Sequence, residues 1–174
     1  MIPTCLKKLT VGTSRPFMGL LLKRAATSDQ CKSLKMKLSI VSGGFDPLHV
    51  GHLELFERAK SLADDLIVIV NTDEFLISKK GKPFMPLKER MTIVQALKPV
   101  KLTIKSIDKD QTVCASVKFV NEMYKKKYDE IMFCNGGDRT SGENTPEHKI
   151  CEEIGIKTVY GLGDKIQSSS WLLK

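Results

Sequence analysis

From Lys37 onward, five short apolar runs alternate with four segments of helical period, and this alternation constrains the fold more tightly than any other feature of the chain. KLSIVSG, DLIVIVNT, KLTIKSI, EIMFCNG and TVYGLG are rich in Val and Ile and lead into turn-forming residues, the pattern of buried strands. Between them lie VGHLELFERAKSLA, PLKERMTIVQALK, TVCASVKFVNEMYKKK and NTPEHKICEEIG. In the first of these, Leu53, Phe56, Ala59, Lys60 and Ala63 follow helical spacing, with charges on the other face. Repeated strand-helix units predict a parallel sheet covered by helices through right-handed crossovers. The expected fold is therefore α/β, a three-layer sandwich around a five-stranded parallel sheet. In such sheets ligands bind beyond the carboxyl ends of the strands, near the point where strand order reverses.

With 174 residues the chain is most simply one domain with a sound core, and no apolar run reaches the length of a membrane span. The net charge of +8 would suit a nucleic-acid partner if it were spread over the body of the protein. It is not. Residues 1–37 hold eight Lys or Arg against one acid, Asp29, which leaves 20 basic and 19 acidic residues in the remainder. The segment 36–174 is thus a nearly neutral domain, and no nucleic acid is expected as its partner. Residues 1–35 form a basic leader with Ser and Thr and almost no acid, the composition of a mitochondrial or plastid transit peptide. A disordered extension, or a translation start upstream of Met36, explains the same composition. The expected location is the cytoplasm or, with a transit peptide, one of those organelles. Cys5, Cys31, Cys114, Cys134 and Cys151 show no CxxC and no regular spacing, so reduced thiols are expected.

The first strand runs into GGFDPLHVGH, residues 43–52, which holds two of the three histidines. Gly43 and Gly44 are expected to let the backbone turn tightly beside a ligand, and Gly51 to keep the first helical turn open to an anion. A helix beginning here offers unpaired N–H groups and a partial positive charge to phosphate. His49 and His52, three residues apart, lie on one side of that turn and can reach the same phosphate. Zinc is the rival ligand. No third ligand stands at a recognisable spacing, and no acid lies between the histidines as in HExxH, so no protein-held metal is expected.

The stretch GGFDPLHVGHLELFERAKSLADDLIVIVNTDEF resembles the start of the cytidylyltransferase-like nucleotidyltransferases, whose signature is a G-x-F-D-x-x-H-x-G-H turn after the first strand. The resemblance extends over residues 36–173 and implies a Rossmann-like fold. It also implies attack by a substrate phosphate on the α-phosphate of a nucleoside triphosphate, with release of pyrophosphate. Mg²⁺ would enter bound through the triphosphate, with no covalent intermediate. His49 and His52 match the family's pair that stabilises charge on the phosphates, and Phe45 and Asp46 match its turn. Family members are commonly dimers, which implies a homodimer here.

Three further stretches bear on this reading. NTDEFLISKKGKPFMPLKER places Lys79, Lys80 and Lys82 on what reads as a Gly-containing loop, followed by Glu-Arg at a helix start. The resemblance implies Lys79, Lys80 or Lys82 on a substrate or triphosphate phosphate, with Lys80 the catalytic candidate and Lys79 and Lys82 the substrate-binding ones, and Arg90 on a phosphate or in a structural ion pair. FCNGGDR follows the fourth strand; Gly136 and Gly137 free the backbone, and Asp138 suits a ribose hydroxyl or a loop hydrogen bond. It resembles the K-G-G-D of heptose-1-phosphate adenylyltransferases and, less closely, the G-D-D of glycerol-3-phosphate cytidylyltransferases, with Asn135 in place of the lysine. IQSSSWLL resembles the family's I-S-[ST]-T-x-I-[RK] element, so Ser168, Ser169 and Ser170 are expected on the β- and γ-phosphates. The basic residue expected at position 173 is Leu173, with Lys174 one place later. The third histidine, His148, reads as surface decoration on an exposed helical turn. The function expected is nucleotidyl transfer from ATP or CTP, ATP being favoured, to a small phosphorylated acceptor such as a sugar or polyol phosphate. A nucleotide-binding regulatory module with little turnover is the alternative.

Overall fold

Five strands, β1 (Lys37–Gly43), β2 (Asp65–Val70), β3 (Leu102–Lys105), β4 (Glu130–Gly136) and β5 (Lys157–Leu162), pair in parallel in the order β3-β2-β1-β4-β5. The computed structural model describes residues 35–136, 145–163 and 169. Residues 1–34 of the leader, and the expected site residues Gly137, Asp138, Ser168 and Ser170, lie outside the described residues. The helices are α1 (Val50–Ser61), α2 (Asp73–Lys80), α3 (Leu87–Gln95), α4 (Cys114–Tyr124) and α5 (Pro146–Glu153).

The sequence of β2, DLIVIV, shows why the sheet is covered on both faces. Side chains alternate across a strand, and from Leu66 to Val70 both sets are apolar and buried. Ile67 and Ile69 join Leu38, Ile40, Ile131 and Phe133 beneath Val117 and Val120 of α4 and Cys151 of α5. Leu66, Val68 and Val70 join Val41, Met132 and Cys134 beneath Phe56 and Ala59 of α1 and Val94 of α3. Each such side chain contributes about 1.5–3 kcal/mol relative to remaining in water, so the two clusters hold the three layers together. The expected α/β sandwich with a five-stranded parallel sheet is the fold observed.

Register carries the site. Gly43 pairs with Val70 across β1 and β2, and Val41 pairs with Cys134 across β1 and β4, so the carboxyl ends of the three central strands lie side by side. The chain winds outward from β1 to β3 on one side and continues through β4 to β5 on the other. The order therefore reverses between β1 and β4, and GGFDPLHVGH leaves the sheet at that point.

Several local expectations are corrected. The segment holding Lys79 and Lys80 is helix α2, capped at its start by the Thr72 hydroxyl, which accepts the Phe75 N–H at 3.2 Å. Asp73 and Glu74 in its first turn and the two lysines in its last suit the helix dipole, and Gly81 ends it with φ of 88°. Leu53 is exposed rather than core-facing; Leu55 instead packs against the buried cluster beside Phe56 and Ala59. β3 stops at Lys105 because Ser106 and Asp108 turn the chain into α4, where the Asp108 carboxylate accepts the N–H groups of Ala115 and Ser116. His148 is not decoration. Its ring is largely buried, with Nδ1 3.1 Å from both the Thr158 and Tyr160 hydroxyls, so it ties α5 to β5.

Candidate active site

The turn after β1 is shaped by packing more than by glycine freedom. A Cβ on Gly43 would come within 2.9 Å of the Phe45 ring, and one on Gly44 within 2.9 Å of Leu76 Cδ2 of α2. The left-handed residue is Phe45, with φ of 51°, a conformation a non-glycine residue adopts only under tertiary constraint. That constraint is visible: the ring is 3% exposed and sits edge-on to both His52 and Phe56, at centroid distances of 5.0 and 5.1 Å. The glycines thus make room for Phe45 and Leu76, a role different from the backbone freedom expected of them.

Asp46, the acid of the signature, is buried at 1% exposure, and its two carboxylate oxygens accept the N–H groups of Phe84 and Met85 at 2.8 Å each. It clamps the chain beyond α2 to the turn. Arg90, expected on a phosphate or in a structural ion pair, is fully buried on α3. It donates to Met85 O at 3.0 Å, Gly44 O at 2.6 Å, Asn71 O at 2.8 Å and Asp73 Oδ1 at 2.6 Å. Of the two roles expected for Arg90, the geometry is that of the structural ion pair. It fastens together the ends of β1 and β2, the start of α2 and the loop before α3.

His49 is the N-cap residue of α1 and Gly51 and His52 follow in its first turn. The rings of His49 and His52 stack with centroids 3.6 Å apart and planes 21° from parallel. His52 Nδ1 accepts the His49 backbone N–H at 3.3 Å. His49 Nδ1 itself is buried without a hydrogen-bond partner. With Nδ1 accepting, the proton of neutral His52 belongs on Nε2. Burial first, then His49 and Lys80, push the His52 pKa down to about 3; burial and then Lys80 lower that of His49. The pair is therefore a set of neutral N–H donors at neutral pH.

The lysines separate. Lys80, although exposed, donates its ammonium to the Asp46 backbone O at 3.2 Å and is the cation that acts on both imidazoles. Lys79 lies over the Phe75 ring, 5.7 Å from its centroid, and Lys82 is exposed beyond the helix cap. Gly136 ends β4 at a break in register with β5, where a Cβ would come within 2.8 Å of Leu162 O, so close packing requires it. Ser169 donates its hydroxyl to Pro47 O at 3.0 Å, which puts it against the histidine turn. Asp46 and Asp73 are both hydrogen-bonded within the protein. Among the described residues no group of three or more His, Cys, Asp or Glu is arranged to hold a metal. The donor set at the turn consists of imidazole, ammonium and backbone N–H, which fits a polyphosphate that brings its own divalent cation.

Asp73, Leu76 and Asn71 belong to this corner and were not singled out from the sequence. Asp73 and Leu76 follow from recognising helix α2, whose signal was Thr-Asp-Glu ahead of Lys-Lys-Gly. Asn71 ends an apolar strand and gives no local sign of its burial.

Comparison with known proteins agrees with this geometry. The family model described as cytidylyltransferase-like matches residues 40–160. Ethanolamine-phosphate cytidylyltransferase of Arabidopsis thaliana is 38% identical over 90 residues, 52% of this chain and 20% of that protein. Glycerol-3-phosphate cytidylyltransferase of Bacillus subtilis is 43% identical over 65 residues, 37% of this chain and 50% of the relative. FAD synthase of Ferroglobus placidus is 41% identical over 75 residues, 43% of this chain and 49% of the relative. The chain thus spans about half or less of these relatives' length. Among solved structures, a lipopolysaccharide core biosynthesis protein of Thermoplasma volcanium superposes with a TM-score of 0.58 at 28% identity, over 74% of this chain and 98% of that one. A nicotinate-nucleotide adenylyltransferase described as putative, from Vibrio parahaemolyticus, has the same fold at 17% identity and a TM-score of 0.53, over 78% of each chain.

Proposed function

Because this chain belongs to the cytidylyltransferase-like family, we propose that it transfers a nucleoside monophosphate from a nucleoside triphosphate to a small phosphorylated acceptor and releases pyrophosphate. The acceptor class is a sugar or polyol phosphate, and ATP, ahead of CTP, is the favoured donor. The observation that carries the reading is the stacked His49–His52 pair on the first turn of α1, at the reversal of strand order, with Lys80 beside it.

In the proposed step an acceptor phosphate oxygen forms a bond to the α-phosphorus while the bond from that phosphorus to the α,β-bridging oxygen breaks. Pyrophosphate leaves with the electron pair. The nucleophile is already ionised at neutral pH, so no base is needed, and the work is alignment and charge stabilisation. The Nε2–H of His52 and the His49 ring donate to the phosphates, and Lys80 supplies the fixed positive charge. A divalent cation held by the triphosphate would supply further neutralisation of its oxygens. Arg90, Asp46 and Asp73 touch no substrate in this account; they hold the turn, α2 and the loop before α3 in register.

A pyrophosphate-release assay with Mg²⁺, four triphosphates and a panel of phosphorylated acceptors tests the reading. Acceptor-dependent release is expected. Tight nucleotide binding with no release for any acceptor would identify a regulatory binding module instead.

A further inference from the structure

Asn71 stands immediately after β2, in the row of strand ends that carries the histidine turn. Its backbone N–H donates to Gly43 O at 2.9 Å, and its carbonyl shares the Arg90 guanidinium with Gly44 O. The residue is therefore fastened directly against the Gly43–Gly44 turn. Its side chain is the anomaly. The residue is only 7% exposed, yet Oδ1 is buried with no hydrogen-bond partner. A buried amide left unpaired is disfavoured unless something else completes it. Continuing the alternation of β2, in which Ile67 and Ile69 face α4 and α5, the Asn71 side chain falls on that face, at the carboxyl end of the sheet.

The charges around it narrow the partner. Of the carboxylates near the ends of β1, β2 and β3 among the described residues, Asp46, Asp73 and Asp108 are hydrogen-bonded within the protein, whereas Glu74 in the first turn of α2 is exposed. Asp46 accepts two backbone N–H groups, Asp73 accepts Arg90 and the Leu87 N–H, and Asp108 accepts Ala115, Ser116 and the Ser106 hydroxyl. The first three are held by donors of the protein itself, and Lys80 adds a positive charge beside the neighbouring histidine turn. A hydroxyl fits better than an ammonium. It donates to the carbonyl and accepts from the NH₂, so it completes the amide whichever way the amide is turned, whereas an ammonium can only donate.

We propose that Asn71 is a specificity-determining residue whose side-chain amide hydrogen-bonds an uncharged hydroxyl of the acceptor. This rests on the nucleotidyl-transfer reading above. A site built around such a bond penalises an acceptor that lacks the hydroxyl, since the amide is then left unpaired.

The test compares pyrophosphate release for glycerol 3-phosphate against propyl phosphate and for ribose 5-phosphate against its 2-deoxy form, with phosphoethanolamine as the cationic probe. For the better-used pair, the hydroxylated acceptor is expected to exceed its deoxygenated counterpart in kcat/KM by about 10- to 100-fold, and phosphoethanolamine to rank with the deoxygenated compounds. In Asn71→Leu that ratio should collapse towards one, and Asn71→Ser should fall between. A purely structural asparagine would lower both members of the pair alike and leave the ratio unchanged, which overturns the proposal. Should the variants not fold, the wild-type comparison alone decides, because equal use of both members, or preference for phosphoethanolamine, also overturns it. No release with any acceptor would instead overturn the nucleotidyl-transfer reading, and this inference with it.

Discussion

Replacing Arg90 with Met separates its two expected roles. The guanidinium is fully buried and donates four hydrogen bonds, three to backbone carbonyls and one to Asp73. Methionine fills most of the volume but leaves those acceptors unpaired. Each buried acceptor stripped of its donor costs about 1–3 kcal/mol, and breaking a buried ion pair about 3–5 kcal/mol. Asp73 is about one-third exposed and can rehydrate, so the lower end applies. A loss of about 3–5 kcal/mol is expected, a large part of the 5–15 kcal/mol typical of a domain. Urea unfolding followed by circular dichroism reads it as a shift in midpoint at unchanged slope. Arg90→Lys should recover little, because one ammonium cannot span four acceptors. Loss below about 1 kcal/mol together with weakened nucleotide binding would refute the reasoning and return Arg90 to the phosphates.

Other outcomes follow from the same geometry. The folded-state pKa of His52 is about 3, below the unfolded value, so between the two the unfolded chain binds the extra proton and stability rises with pH. That contribution is complete above about pH 6.5 and is lost as pH falls towards 3. Allowing for partial exposure, His52 should make the protein about 1 kcal/mol more stable at pH 7.5 than at pH 5, and His52→Gln should remove that share, leaving the smaller part carried by His49; equal pH dependence in both would contradict it. His49→Ala and His52→Ala should each lower turnover by about 10²-fold or more, read by pyrophosphate release, and near-wild-type turnover in both would show the motif misread. Gly44→Ala should cost about 1–2 kcal/mol in urea unfolding through its contact with Leu76, and Leu76→Ala in the same chain should cost less than its separate effect adds. Asp46→Asn should speed amide hydrogen exchange at Phe84 and Met85, since one of them loses its acceptor; unchanged exchange would mean the clamp is not holding the loop.

The sheet and its helices were legible because DLIVIV, EIMFCNG and their neighbours carry the period and the turn residues themselves. The placement of GGFDPLHVGH at the strand-order reversal followed from its position after the first apolar run. Helix α2 was hidden by its ending: Lys-Lys-Gly-Lys-Pro reads as loop, while the Thr72 cap and the acids behind it were the signal that counted. Asp46 and Arg90 look like ligand residues in sequence because they are charged and stand beside the motif. Their burial is a tertiary fact, decided by where Phe84, Met85 and Asn71 come to lie. His148 followed the same pattern, with Thr158 and Tyr160 ten and twelve residues away. What local sequence does not encode here is which polar side chains the fold turns inward.

The central claim is tested most directly by following label from the donor. With wild-type protein, Mg²⁺ and an accepted acceptor phosphate, ATP or CTP labelled at the α-phosphorus should pass its label to the acceptor, while γ-label appears in pyrophosphate. His52→Ala should slow both together. Gamma-label found in the acceptor or in inorganic phosphate, or bound nucleotide with neither label moving, would contradict nucleotidyl transfer at this site.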